Sequence, residues 1–241
     1  MARVTRSNDT GAAGSDGVDR RPLVPPEEGS ELALDALRLG PGASLDLTDP
    51  LHDTVLFTYE GSGALDTAAI EGRAAGFVAA GASGTLSAGA DGLACVRATL
   101  GGATDLHAPM GALEQVVGLD RVEPGKATGA RSFQVLFGPH NGSTRATMFV
   151  GYIPPGRAPW HYHLYDEIVW VLRGEGRLYI GDAVEPLASG SAFRLHPREV
   201  HIVENSDPVA ELTVLGIFTP AGSPSAAYLM PDVAEAYAIS G

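Results

Sequence analysis

The stretch Trp160–Gly176, WHYHLYDEIVWVLRGEG, decides the fold. It joins two histidines one residue apart, a glutamate four positions later, and a β-branched and aromatic run that ends in glycines. Because alternate side chains of a strand point to one face, His161, His163 and Glu167 face the same way. Burying such ionisable groups is costly, but a divalent cation would compensate. The stretch therefore indicates either a metal site on a strand or an ordinary strand with polar residues at its mouth.

A second segment, Gly190–Asn205 (GSAFRLHPREVHIVEN), supplies further candidate ligands. His196 and His201 each lie where a neighbouring strand could bring them to the first segment as a fourth ligand. On the residues alone, both histidines stay open as ligands.

The rest of the chain predicts a protein made of short strands. From Leu32 onward, β-rich segments alternate with glycine and proline turns, which is typical of a β-sandwich or barrel. Residues 1–28 predict a disordered or loosely attached tail. Residues 105–130 predict a connector with one helical turn at 112–117, and the final PDVAEAYAISG predicts a short C-terminal helix.

The two halves of the chain resemble each other. VLFTYEGSGAL in the first matches IVWVLRGEGRL in the second. Aligning Gly42 with Gly156, and Gly61 with Gly174, gives the same offset to within one residue. Such a repeat indicates an internal duplication, with a first barrel over residues 29–104 and a second over 131–241.

The first half lacks the ligands that the second half carries. The positions corresponding to the histidine pair and the glutamate fall near Leu47, Asp49 and Asp53, or one residue later at Thr48, Pro50 and Thr54, and no H-x-H occurs there. Because Asp49 precedes a proline, we interpret Asp49, His52 and Asp53 as loop residues. We therefore expect a first barrel that keeps the scaffold, has lost the metal, and serves a structural role.

The two histidine-bearing segments resemble the signature motifs of the cupin superfamily. In the first motif, His161, His163, Glu167 and Gly174 match, while Gly156 lies one residue too close.

In the second motif, Gly190, His201 and Asn205 match. His196 and Arg198 occupy the positions of its proline and glycine, so the turn before His201 departs from the family pattern.

The resemblance implies an all-β fold of two tandem cupin barrels, also called double-stranded β-helices or jelly rolls. The N-terminal barrel would be degenerate, and the C-terminal barrel would bind one divalent transition metal. The implied ligands are His161, His163, Glu167 and His201. Imidazole and carboxylate ligands suit several metals, so iron, manganese, nickel, copper and zinc all stay open.

Three residues near these ligands are candidate catalytic or substrate-contacting groups. Tyr165 and Arg173 share the parity of the ligands, and His196 precedes the second motif. Arg173 could instead be an exposed arginine at the end of its strand. His196 could instead be a strand-end histidine that is hydrogen-bonded to the backbone. The aromatic residues of opposite parity are expected to pack outward, between the barrels or at a dimer interface: Trp160, Tyr162 and Trp170.

The amino-acid composition argues against some classes of binding partner. The 29 acidic residues outnumber the 16 basic ones, which argues against nucleic acid. No apolar run reaches the roughly 18 residues of a membrane helix. The single cysteine, Cys95, excludes an internal disulfide, fits a cytoplasmic protein and is expected to be buried. We expect a homo-oligomer, a dimer, acting on a small molecule.

Three functions stay open at this point. A non-haem dioxygenase acting on a small enol, phenol or diketone is preferred. The alternatives are a non-redox isomerase, lyase or hydrolase, with an architecture similar to ureidoglycine aminohydrolases, and a cupin that binds a small ligand without turnover.

Overall fold

The computed structural model describes residues 4–6, 15–101, 108–127 and 130–229, and almost all of their regular structure is β. The strands, in chain order, are β1 (Thr5–Arg6), β2 (Val18–Val24), β3 (Ala33–Leu39), β4 (Ser44–Asp46), β5 (Asp53–Leu65), β6 (Ala68–Glu71), β7 (Ala74–Val78), β8 (Thr85–Leu100), β9 (Val116–Gly118), β10 (Gly125–Lys126), β11 (Ser132–Phe137), β12 (Thr147–Ile153), β13 (Gly156–Arg157), β14 (His161–Tyr162), β15 (Asp166–Arg173), β16 (Glu175–Ile180), β17 (Ala183–Ala188), β18 (Ser191–Leu195), β19 (His201–Asn205), β20 (Leu212–Thr219) and β21 (Tyr228–Leu229). Within these residues, three short 3₁₀ helices span Ser15–Gly17, Leu119–Arg121 and Pro139–Asn141. The predicted all-β fold class is confirmed.

The strands of the described residues form three sheets. The N-terminal sheet has the order β2-β3-β8-β5-β7-β9, with β4 paired to β8 and β6 to β5. The large C-terminal sheet has the order β1-β18-β15-β20-β12-β11-β10. The small C-terminal sheet has the order β17-β16-β19-β14-β21, and β13 pairs with β19. All the pairings are antiparallel, as expected for sandwiches and jelly rolls.

The two halves share a strand order. The run β3-β8-β5-β7 in the N-terminal sheet corresponds to β12-β20-β15-β18 in the large C-terminal sheet. The aligned glycines also share their conformation: Gly42 and Gly156, and Gly61 and Gly174, all have positive φ. The topology therefore supports the duplication that the repeat predicts.

The two halves differ in the path of the chain at the aligned glycines Gly61 and Gly174. Gly61 lies inside the continuous strand β5, where a Cβ would approach the carbonyl oxygen of Gly92 to 2.1 Å. Its φ of 79° and this close approach both require glycine. The matching Gly174 lies between β15 and β16, so the chain passes there from one C-terminal sheet to the other.

Three hydrophobic clusters form the core. One lies within the N-terminal half and includes Leu56, Leu86 and Cys95. A second fills the space between the two C-terminal sheets. The third lies between the halves, where Phe57 and Trp170 are both buried. Cys95 is buried as expected, and burial raises its pKa to about 12.

Trp170 packs between the two halves, as its parity predicts. Its ring centroid lies 5.0 Å from that of Tyr59 in the N-terminal half. Trp160 and Tyr162 also have the opposite parity and do not line the cavity that contains the histidines. Their outward orientation agrees with the alternation of the strand.

The structure corrects two expectations. Val18–Val24 lies within the expected tail but forms an edge strand on β3, and Thr5–Arg6 pairs with Ser191–Leu195. The helical turn expected at 112–117 is absent; Val116–Gly118 there is a strand that joins the N-terminal sheet. The predicted C-terminal helix lies outside the described residues.

No helix in the described part of the chain has both the length and the apolar character needed to span a bilayer.

Candidate metal centre

Three histidines converge at one end of the space between the two C-terminal sheets. His161 on β14 is the direct register partner of His201 on β19. His163, two residues further on, points the same way, as strand alternation predicts. The three rings are buried, and one ligand nitrogen from each lies within 4.8 Å of the others. The sequence-predicted histidine ligands are therefore brought together.

Backbone carbonyls orient two of the three rings. His161 Nδ1 lies 2.9 Å from the carbonyl oxygen of Pro159, and His201 Nδ1 lies 2.8 Å from that of Glu199. A carbonyl oxygen can only accept, so each Nδ1–H donates. Each Nε2 then keeps its lone pair, which is the usual way in which a protein fixes a metal-ligating imidazole.

The electrostatics of the site keep these imidazoles neutral. Burial lowers the pKa of His161 to about 4, and the hydrogen bond to Pro159 opposes this shift only in part. Burial also lowers the pKa of His201 well below its usual value, and the neighbouring histidines add to this effect. Neutral imidazoles are the form that binds a metal ion.

Glu167 reaches the cluster from the opposite sheet. It is the second residue of β15, and its side chain is buried. Its Oε2 lies 2.9 Å from His163 Nδ1. Neither atom has a hydrogen-bond partner among the described residues, so the contact is close without being a directed hydrogen bond. Two ligands about 2.1 Å from one metal, at right angles, lie about 3 Å apart. The pair therefore fits adjacent ligands of a single cation.

The donor set fits a divalent transition metal. Three imidazole nitrogens and one carboxylate oxygen suit iron, manganese, nickel, copper or zinc, and do not select among them. Glu167 joins the group through His163 and is not part of the three-histidine cluster itself. The site would hold one ion through His161, His163, His201 and Glu167.

A cavity of about 100 Å³ opens onto the histidines and Glu167. A buried water needs only about 10–15 Å³ of such space, so the cavity has room for a small organic ligand. Its walls are mainly apolar and are formed in part by Phe133, Phe149, Ile153, Val169, Leu195 and Val214.

Tyr165 is the predicted candidate that the structure places in the cavity. It is buried, and its ring stacks on His163 and Phe218 with centroid distances of 4.6 and 3.9 Å. Burial, aided by the Glu167 charge, raises its pKa strongly. The phenol is therefore protonated at neutral pH and can donate a hydrogen bond.

The other two candidates lie outside the cavity. Arg173 is exposed at the end of β15. His196 is half-exposed, and its Nδ1 lies 3.3 Å from Glu27 Oε1 in the N-terminal half. Their expected contact with substrate is therefore not supported, because neither side chain faces the ligands.

Arg131 is a cavity residue that sequence reasoning missed. It precedes β11, is half-buried, and lines the same cavity as the histidines. It is distant from both motifs in the chain, and no periodicity or spacing marks it. Only the pairing of β11 with β12 brings it to the site.

The turn before His201 keeps the conformation that a glycine would favour. Arg198 has a φ of 66°, a left-handed conformation that is unusual for a residue other than glycine. Its backbone N–H donates to the carbonyl oxygen of His163 at 2.6 Å. The turn thus survives the departure from the motif and fastens the two ligand segments together.

Asn205 of the second motif has a structural role. Its Nδ2 donates to the carbonyl oxygens of Ile153 and Ala210, each at 2.8 Å. It fixes the loop after β19 and does not line the cavity.

The first half shows no comparable cluster within the described residues. Leu47, at the position corresponding to His161, is buried in the apolar core. Asp49 accepts hydrogen bonds from the N–H groups of Leu51 and His52, as a turn residue does. Asp53 accepts from the N–H of Ala80 at 2.7 Å. The loop interpretation agrees with the contacts of Asp49 and His52, whereas Asp53 is the buried first residue of β5 and is not a loop residue.

Comparisons with known proteins agree with this architecture. Residues 148–218, within the C-terminal half, match the family model described as Cupin domain. A mutant of Bacillus subtilis oxalate decarboxylase superposes with a TM-score of 0.76 at 14% identity, covering 99% of this chain and 83% of that one.

Two further solved structures are similar. The Lactobacillus farciminis oxalate decarboxylase formate complex has a TM-score of 0.77 at 13% identity, with coverage of 98% and 90%. The putative glyoxylate induced protein from Pseudomonas aeruginosa has a TM-score of 0.71 at 15% identity, with coverage of 86% and 83%. At these identities the similarity shows the fold alone. No curated protein sequence matches the chain.

Proposed function

We propose that the chain is a metal-dependent enzyme of the dioxygenase type that acts on a small organic molecule in the C-terminal barrel. The observation that carries the proposal is the convergence of three buried histidines and Glu167 on a single cavity. Such a donor set leaves room for further ligands in an octahedral field. When bound, a divalent transition metal there supplies Lewis acidity and, if redox-active, activation of dioxygen.

The side chains around the cavity would bind and orient the substrate. The apolar walls around Phe133 and Phe149 exclude water and favour a small, partly apolar ligand. The protonated Tyr165 phenol can donate a hydrogen bond to a substrate oxygen. The backbone contacts of His161 and His201 hold their rings in place, so that little reorganisation is needed when substrate enters.

A lyase acting on a small carboxylate is the second candidate. Two observations favour it: the small cavity contains an arginine, and the fold is similar to solved structures described as oxalate decarboxylase. The two candidates share the metal site and differ in whether dioxygen is consumed.

Dioxygen consumption separates these candidates. Protein stripped of metal would be loaded with Fe²⁺, Mn²⁺, Ni²⁺, Cu²⁺ or Zn²⁺ and mixed with acetylacetone, catechol or oxalate. An oxygen electrode and mass spectrometry of the products would follow each mixture. A dioxygenase consumes dioxygen in proportion to substrate, whereas carbon dioxide release without net dioxygen uptake supports the lyase. Substrate binding without turnover under every condition would contradict both and leave a ligand-binding cupin.

The N-terminal half is proposed to be a degenerate cupin barrel with a structural role. Its buried residues Leu34, Val55 and Phe57 belong to the cluster between the halves, so it covers one face of the large C-terminal sheet. The expected homodimer, the small-molecule partner and the cytoplasmic location stay predictions.

A further inference from the structure

We propose that Phe149 limits the size of the ligands that enter the cavity and restricts the substrates to compact acyclic molecules. This inference rests on the proposed function, because it names the substrate class of the same site. It assigns the size limit to one aromatic ring that lies outside both histidine-bearing motifs.

The position of Phe149 opposite a glycine is the first argument. Phe149 on β12 and Gly216 on β20 are direct register partners, so their side-chain positions share one face of the sheet. Val214, two residues before Gly216, lines the cavity, so this face is the inner one. Phe149 lines the cavity at this level and Gly216 does not, because the ring covers the glycine.

The distances show how closely the ring fills this space. A Cβ at Gly216 would lie 2.3 Å from the Phe149 ring and 2.9 Å from Glu167 Oε1, so the ring lies beside this carboxylate. A Cβ at Gly151, the next residue of β12 on the same face, would lie 3.3 Å from the same ring. Two positions without side chains therefore make room for Phe149. Without the ring, the cavity would extend over Gly216 to Glu167.

Neighbouring rings hold Phe149 in this position. Its ring centroid lies 6.4 Å from that of Phe133, with an angle of 80° between the planes. The centroid of Phe218 lies 6.0 Å away on another strand, with an angle of 61°. Such edge-to-face arrangements are favourable for aromatic pairs. Phe149 is therefore a fixed part of the wall, since a ligand that displaced it would break both contacts.

The size of the cavity is the last argument. A buried water needs about 10–15 Å³ of such space, so a cavity of about 100 Å³ has room for on the order of seven waters. A short dicarboxylate or β-diketone is of this size. A metal-binding ligand with a phenyl substituent exceeds it and would need the space that the Phe149 ring occupies.

Calorimetric binding to the zinc-loaded protein tests the size limit without turnover. The probes are acetohydroxamate and benzohydroxamate, which bind a metal through the same group and differ in a methyl against a phenyl substituent. We expect acetohydroxamate to bind the parent protein, and benzohydroxamate to bind it at least about tenfold more weakly. Phe149→Ala should strengthen benzohydroxamate binding by at least about tenfold and change acetohydroxamate binding by less than about threefold.

Benzene tests the same space in metal-free protein. An apolar cavity of about 150 Å³ binds benzene, and removal of a phenyl ring leaves a space of matching shape. Benzene should therefore raise the melting temperature of metal-free Phe149→Ala by about 2 °C or more and leave that of the parent protein unchanged.

Two further variants accompany Phe149→Ala. Phe149→Leu keeps more of the side chain, so it remains informative if the alanine variant does not fold, and it should give a smaller gain in benzohydroxamate binding. Phe137→Leu is the matched control, because Phe137 is buried in the cluster between the halves and does not line the cavity. It should keep the preference of the parent protein for acetohydroxamate. Zinc content is measured for each variant, so that a change in metal loading is not mistaken for a change in ligand binding.

The outcomes separate this inference from the proposed function. Benzene binding to Phe149→Ala and the reversed hydroxamate preference, without turnover of any substrate, support the inference while the proposed function fails. Turnover by a parent protein that binds both hydroxamates equally overturns the inference and leaves the function. A folded Phe149→Ala protein that still prefers acetohydroxamate as the parent does also overturns it.

Discussion

His163 Nδ1 and Glu167 Oε2 lie 2.9 Å apart, yet neither has a hydrogen-bond partner among the described residues. Buried polar atoms are normally satisfied, since an unpaired one costs about 1–3 kcal/mol. A cation that takes both atoms as adjacent ligands, about 2.1 Å from each, would satisfy both at this separation. The unsatisfied pair is therefore evidence for a metal ion bound by His163 and Glu167.

The metal-free protein should lose stability in mild acid. The pKa of His161 is lowered to about 4, so the unfolded chain binds a proton below about pH 6.5 that the folded chain refuses until about pH 4. Stability is therefore complete above pH 6.5 and falls as the pH drops through this window, by on the order of 3 kcal/mol from His161.

Urea denaturation of metal-free protein at about pH 7 and about pH 4.5 measures this loss. His161→Gln should flatten the pH dependence, and His140→Gln, at an exposed position, should leave it as in the parent protein. If the free energy of unfolding of His161→Gln fell between these pH values as much as that of the parent protein, groups other than His161 would cause the acid sensitivity.

Arg194→Met should destabilise the protein by about 3–5 kcal/mol. Arg194 Nη1 lies 2.6 Å from Asp166 Oδ2, and both side chains are largely buried. Arg194 also donates to the carbonyl oxygens of Pro25 and Leu32, so it ties the N-terminal half to β18. Removing it would leave the buried Asp166 carboxylate with the Ser30 hydroxyl as a donor but without its ion-pair partner.

The exposed pair Arg38–Glu60 provides the control for this variant. Unfolding of both variants in guanidinium chloride measures the two losses, and Arg38→Met should cost less than about 1 kcal/mol. Equal losses in the two variants would show that burial of the Arg194 pair does not matter.

Arg198→Gly should stabilise the protein by about 1 kcal/mol, because the left-handed conformation costs other residues about that much. Arg198→Ala is the matched control, since it removes the side chain and keeps the backbone cost. Thermal and chemical denaturation of both variants measure the difference. A glycine variant no more stable than the alanine variant would argue against strain at this turn.

Gly216→Ala should weaken metal binding by about tenfold, the scale at which groups supporting a metal ligand act. A Cβ at Gly216 would lie 2.3 Å from the Phe149 ring and 2.9 Å from Glu167 Oε1, so the carboxylate must move. Gly222→Ala is the control, because its nearest neighbour lies at 3.8 Å. Competition with a chelator compares their affinities, and equal values would contradict the role given to Glu167.

Sequence patterns with short periods predicted much of this structure. Strand alternation correctly placed His161 and His163 on one face and Trp170 on the other. The direct pairing of His161 with His201 follows from the register of β14 and β19, which depends on contacts distant in the chain. Arg131 has no local pattern for the same reason.

The expected tail shows a different limit. Val18–Val24 contains a run of three charged residues, and Pro22, which an edge strand tolerates. Backbone hydrogen bonds to β3 and the burial of Leu23 and Val24 against the core between the halves hold it in place. The amino-acid composition of the segment predicts neither these hydrogen bonds nor this burial.

Metal content after purification tests the central claim most directly. The account predicts about one transition-metal ion per chain in the parent protein, as expected for a single centre with imidazole and carboxylate ligands. Replacing both His161 and His163 by alanine should abolish this metal, while His140→Ala, at an exposed position, should retain it. Elemental analysis by mass spectrometry, together with circular dichroism to verify folding, gives the answer. Stoichiometric metal in a folded His161→Ala/His163→Ala protein would contradict the account.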